Sequence, residues 1–143
     1  MTNWGILDTS TVVLLARLDP ELLPEEPLIT AVTLAELSVG PLVATTRKER
    51  SSRQAVLQQA EADFEPLAFD AQSARAFGRV AASLRAAGRK VQARGYDAMI
   101  AATAIANDLP LYSVNPSDFS GIDELDLHPI PHPASSKRGE RPR

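Results

Sequence analysis

Asp8, Glu36 and Asp97, together with Asn115 and Asp118, are the side chains in this sequence whose type and setting could do chemistry. Each stands in or beside an apolar stretch: WGILD at 4–8, TLAEL at 33–37, DAMIAATA at 97–104 and LYSVNPSDF at 111–119. Carboxylates brought within a few ångströms repel, and each raises the pKa of the others unless a cation joins them. The chain has no cysteine, and its two histidines stand near the tail at 128 and 132. An all-oxygen donor set of this kind suits Mg2+ or Mn2+ rather than zinc. Mg2+ is typically held by one or two carboxylates while it keeps waters and takes phosphate oxygens from a substrate. The matching chemistry is metal-assisted phosphodiester hydrolysis, in which the ion makes water acidic and neutralises charge developing on phosphorus oxygens.

Those positions converge only if the elements carrying them share one edge. Residues 4–8 read as a short buried strand, and Thr9 or Ser10 could cap a helix over TSTVVLLARL. Pro24 and Pro27 bracket a turn, LIT (28–30) reads as a second strand, and a helix begins at Thr33. Residues 44–62 are polar and helical, and FEPLAF (64–69) reads as a third strand. Asp70 caps an amphipathic helix reaching Gly88, with Ala74, Phe77, Ala81 and Leu84 on one face. An apolar helix follows Asp97 and ends near Asn107, then LPLYSV (109–114) and LDLHPI (125–130) form the last strands. Strands alternating with helices imply an α/β fold, a parallel sheet of four to five short strands covered on both faces. Sites in such folds form beyond the carboxyl ends of the strands, where Asp8, Asn115 and Asp118 fall and where Glu36 and Asp97 can join them.

Taken singly, each position also has a purely structural use. Asp8 and Asp97 could be helix N-caps, Thr33-x-x-Glu36 matches a capping box, and Asp118 could stabilise a turn. Convergence at one edge is what favours chemistry. Two basic blocks, Arg47-Lys48-x-Arg50-x-x-Arg53 and Arg85 to Arg94, are solvated faces unless they flank the acids, where they would hold an anionic backbone.

At 143 residues the chain fits one domain, expected over 1–131, with a disordered tail at 132–143. Apolar residues at 44% and charged residues at 23% suit a soluble globular protein, and a net charge of −3 does not by itself advertise nucleic-acid binding. Missing cysteine excludes disulfides, thiolate metal sites and cysteine nucleophiles. No run approaches the roughly 20 apolar residues of a membrane span, and the N-terminus does not read as a signal peptide, so a cytoplasmic protein is expected.

The ordered set ILDTS (6–10), TLAEL (33–37), DAMIAATA (97–104) and NPSDF (115–119) resembles the PIN-domain ribonucleases, in particular the VapC toxins of bacterial toxin–antitoxin pairs. The resemblance covers residues 4 to about 130 and implies a three-layer α/β/α fold. It implies that Asp8, Glu36, Asp97 and Asp118 are the catalytic acids, with Asp8 and Asp97 as metal ligands. The fourth position is the loosest match, because Asn115 stands where the family places its variable acid and Asp118 follows three residues later. Thr9 and Ser113 are implied as supporting groups. Also implied are Mg2+ or Mn2+ dependence, cleavage of structured RNA such as tRNA or rRNA, homodimerisation, and silencing by a VapB-like antitoxin in a hetero-oligomer.

Two rivals stand beside this reading. A haloacid-dehalogenase-type phosphatase wants a second Asp two residues after the first, where this chain has Ser10. A degenerate PIN-like module would bind RNA or protein without cutting, and Asn115 is the residue that favours it.

Overall fold

The computed structural model describes residues 2–134, so most of the expected tail, 135–143, lies outside the described residues. Strand β1 (Trp4–Leu7) is followed by the short helix α1 (Thr9–Val13), strand β2 (Glu26–Leu28), helices α2 (Ala31–Val39), α3 (Arg47–Asp63), α4 (Ala71–Ala86) and α5 (Gly95–Ala106), and strands β3 (Leu111–Ser113) and β4 (Leu127–Pro129). The sheet runs β2-β1-β3-β4, and every pairing is parallel.

Alternation along β1 sends consecutive side chains to opposite faces. Ile6 joins a core built with Val80 and Leu84 of α4 and Ile100 and Ala101 of α5. Leu7 joins a second core with Val12, Leu37 and Ala60 from α1, α2 and α3. The result is an α/β sheet with helices on both faces. Gly5 is required in β1, since a Cβ there would stand 2.5 Å from the Tyr112 ring.

Several expectations are corrected. FEPLAF (64–69) is not a strand: only Leu67 reaches a neighbour, donating to the Ile29 carbonyl at 2.9 Å and accepting from Ala31 at 2.8 Å. The second strand ends at Leu28, because Thr30 serves as the N-cap of α2, its hydroxyl accepting from the Thr33 N–H at 3.2 Å. The first helix stops at Val13, continuing only as a 3-10 turn over Leu15–Arg17.

The buried side chains of α4 are Ser73, Ala76, Val80 and Leu84: the expected stripe keeps Leu84, and its other three positions shift by one. Small side chains abound on that helix, and contact with Ala98, Ala101 and Ala102 of α5 favours its smallest face. Helices α4 and α5 end in the same hydrogen-bonded pattern. Arg89 N–H reaches Leu84 C=O with Gly88 left-handed, and Leu109 N–H reaches Ala104 C=O with Asp108 left-handed at φ 54°.

Candidate active site

Asp8 follows β1 directly, and its carboxylate caps α1 in place of the expected Thr9 or Ser10. The side chain is 3% exposed, a burial that would be costly without partners. It has four. Oδ1 accepts from the Thr11 N–H at 3.1 Å and from the Thr11 hydroxyl, while Oδ2 accepts from Ser113 Oγ at 2.6 Å and Ser10 Oγ at 3.2 Å. Burial pushes its pKa up, and these hydrogen bonds pull against that. Ser113 belongs to β3, the strand paired with β1, so the sheet itself brings donor and acid together. Asn115 contributes its backbone N–H, which donates to Ser113 Oγ at 2.9 Å, and its side chain does not cap the following turn.

Glu36 lies on α2, half-buried, and accepts from Thr9 Oγ at 2.5 Å. The capping box expected with Thr33 does not form, since Thr30 already holds the Thr33 N–H. Burial raises the Glu36 pKa, the Thr9 bond lowers it, and the Asp8 charge raises it again.

Asp97 is the third residue of α5, not its N-cap, because the helix starts at Gly95. It lies in a cleft of ≈ 400 Å³ whose lining includes Glu36, Gln92, Arg94, Tyr96 and Met99. Its carboxyl is pushed up to about 6, first by burial, then by the charges of Asp118, Glu36 and Asp8, with Arg94 opposing. No hydrogen bond contributes to that balance. Among the acids, Asp118 weighs most on Asp97, and it stands in the 3-10 turn Pro116–Phe119. Arg94 ties the two loops, its guanidinium donating to the Asp118 carbonyl at 3.0 Å and lying 3.6 Å from the Asp118 carboxylate.

Asp97 therefore feels the charge of the other three expected acids at the carboxyl edge of the sheet. Both basic blocks reach this edge. Arg94 lines the Asp97 cleft, and Arg53, bonded to the Gly40 carbonyl at 2.9 Å, lines a second cleft of ≈ 510 Å³ that also borders Glu36. From sequence alone Ser10 and Thr33 read only as helix caps and Thr11 is not singled out, although the hydroxyl run DTST (8–11) stands beside an acid.

Among the described residues, no three acidic or histidine side chains stand in a group able to hold an ion. The donor set nonetheless fits a hydrated hard cation. Asp97 is crowded by like charge and, among the described residues, meets no hydrogen-bond donor, and Mg2+ needs only one or two carboxylates beside its waters. No helix among the described residues is long and apolar enough to cross a membrane.

The family model of the PIN domain matches residues 6–125. Ribonuclease VapC5 of Mycobacterium tuberculosis (strain ATCC 25618 / H37Rv) is 38% identical over 122 residues, spanning 83% of this chain and 87% of that protein. Among solved structures, VapBC-5 from Mycobacterium tuberculosis, a member of the VapBC family of toxin-antitoxin systems, superposes with a TM-score of 0.77 at 36% identity, covering 90% of this chain and 99% of that one. VapBC2 from Rickettsia felis, solved bound to a DNA fragment from their promoter, gives 0.69 at 25% identity over 87% of this chain and 96% of that one. PIN-domain VapC nucleases generally depend on a divalent metal. With three quarters of its length or more matched in each comparison, and its acids gathered at one sheet edge, this chain belongs to the PIN-domain family and, within it, to the VapC ribonucleases.

Proposed function

We propose that this chain is a Mg2+- or Mn2+-dependent endoribonuclease toxin that hydrolyses phosphodiester bonds in structured RNA. The observation that carries the reading is Asp97, a carboxylate in an open cleft, crowded by Asp118, Glu36 and Asp8. In this reading Asp8 and Asp97 hold the ion, and Asp118 rather than Asn115 supplies the fourth charge. A divalent ion held there supplies acidity to water and neutralises charge developing on the phosphate. The protein's own part is to place the groups. The hydroxyls of Ser113, Thr11 and Ser10 fix Asp8, Thr9 holds Glu36, and Arg94 fixes the turn carrying Asp118. Arg53 and Arg94, on either side of Glu36, are placed to meet the RNA backbone.

The toxin role, a VapB-like antitoxin as partner, and homodimer and hetero-oligomer assembly rest on the similarity to VapBC-5, solved as a toxin-antitoxin family member. RNA as substrate also places its action in the cytoplasm.

The test is cleavage of total tRNA and rRNA by purified protein with Mg2+ or Mn2+, with EDTA, and by Asp97→Asn. Cleavage confined to the wild type with metal is expected. Equal cleavage in all three arms sinks the metal-nuclease reading, and metal-independent binding without cleavage in any arm favours the degenerate module.

A further inference from the structure

Among the described residues Glu36 has one hydrogen-bond donor, and that donor is itself held from behind. Thr9 Oγ lies 2.5 Å from Glu36 Oε1 and 3.0 Å from Thr33 Oγ. Thr33 stands one turn before Glu36 on α2 and is fully buried, whereas Thr9 comes from the start of α1. Thr33 lines neither of the clefts that border Glu36.

Counting protons fixes the direction of this chain. A hydroxyl has one proton to give, and an ionised carboxylate can only accept. With Glu36 ionised, the Thr9 proton goes to Glu36. The contact between the two hydroxyls must then use the Thr33 proton, given to a lone pair of Thr9. A hydroxyl that accepts while it donates is a stronger donor, because each bond polarises the next. It is also held in one rotamer rather than left free to turn.

We infer that Thr33 is a positioning residue for the ribonuclease reaction, acting through the Thr9 hydroxyl to hold the Glu36 carboxylate in its catalytic orientation. This rests on the ribonuclease reading of the site. It assigns the buried threonine of T-L-A-E a role other than helix capping: the Thr33 N–H serves the helix, and its hydroxyl serves the acid.

The test compares Thr33→Val, which keeps shape and removes the donor, with Thr33→Ser, which keeps the donor and removes a methyl. Both are measured for metal-dependent cleavage of a hairpin RNA carrying a loop that the wild type has been mapped to cut. Thr33→Val lowers kcat roughly tenfold, as loss of a supporting hydrogen bond to an active-site ligand does, with KM within about twofold of wild type. Thr33→Ser restores most of kcat. On a Thr9→Val background Thr33→Val has no further effect, because the two residues act in series. Melting temperatures of all variants show that the fold persists. If Thr33→Val does not fold, Thr33→Ala removes the same donor without adding bulk.

Full kcat in Thr33→Val, equal losses in Val and Ser, or losses that multiply with those of Thr9→Val each overturn the relay while leaving the nuclease standing. Absence of cleavage by the wild type overturns both together.

Discussion

Asp8 and Asp97 are the same residue type at the same sheet edge, and the protein treats them in opposite ways. Asp8 is sealed and fully partnered, with four donors from α1 and β3 closing on its two oxygens. Asp97 has no hydrogen bond contributing to its balance, borders an open cleft and carries the charge of its neighbours unrelieved. A partnered acid is a fixed point, held in one orientation whatever enters the site. An unpartnered one is the place where something must be added. Glu36 lies between them, with a single donor reached through a relay. In the proposed reading the gradient divides the labour: geometry is set on the α1 side, and ligand exchange happens on the α5 side.

The comparison breaks most visibly with Asp97→Asn. Cleavage is expected to fall by about a thousandfold or more, in line with removal of a principal catalytic group, while the protein stays folded. RNA cleavage and circular dichroism on one preparation check this, and retained activity would mean that Asp97 is not the exchange point. Next in size is the stability of Asp8→Asn. An amide group there turns N–H toward hydroxyl donors, and melting should show a loss of about 2 kcal/mol, the scale of hydrogen bonds to a charged group. An unchanged melting temperature would mean that the four donors hold nothing in place.

Acid titration sharpens the contrast. Asp97 has a folded pKa of about 6 against an ordinary 3.8, so its contribution favours folding below the unfolded value and is lost as pH rises through about 6. In EDTA, Asp97→Asn should therefore stabilise the protein at pH 7 by about 1 kcal/mol, less than the whole shift implies because the carboxylate is partly solvated. At pH 4 the gain should vanish, and added Mg2+ should stabilise the wild type more than the variant. The smallest effect is expected from Ser113→Ala, which removes one of four donors to Asp8. About 1 kcal/mol of stability and a severalfold fall in kcat are anticipated, and denaturant melts with cleavage rates measure both.

How much of this was legible in the sequence depends on what each residue signals alone. The sheet was readable because WGIL and LYSV are apolar runs with turns beyond them, and α5 because its alanines leave no other use for the segment. The acids were readable from the strands they follow. FEPLAF was misread because apolar composition does not say whether a neighbour is there to pair with, and only Leu67 finds one. Three of the four α4 positions slid by one because a helix rich in alanine has no strong side, and the choice is made by the partner helix. Within the site, the N-cap that was the structural alternative for Asp97 does not form, since a helix can begin at Gly95 as readily as after Asp97. The hydroxyls around Asp8 and Glu36 were the least legible. Ser10 and Thr11 stand beside Asp8 in the chain, but the meaning of Thr9, Thr33 and Ser113 comes from contacts across 24 to 105 positions, and no local pattern records those.

That last separation has a consequence for how the activity comes into being. Asp8 is made 105 residues before one of its donors, Ser113, which lies on a strand that must slot in beside β1. Parallel pairing over such a distance forms late, after the intervening helices have been placed. A partly synthesised chain therefore carries the first acid without the seam that seats it and without the turn bearing Asp118. The full set of acids therefore exists only once β3 and the turn after it have joined the sheet.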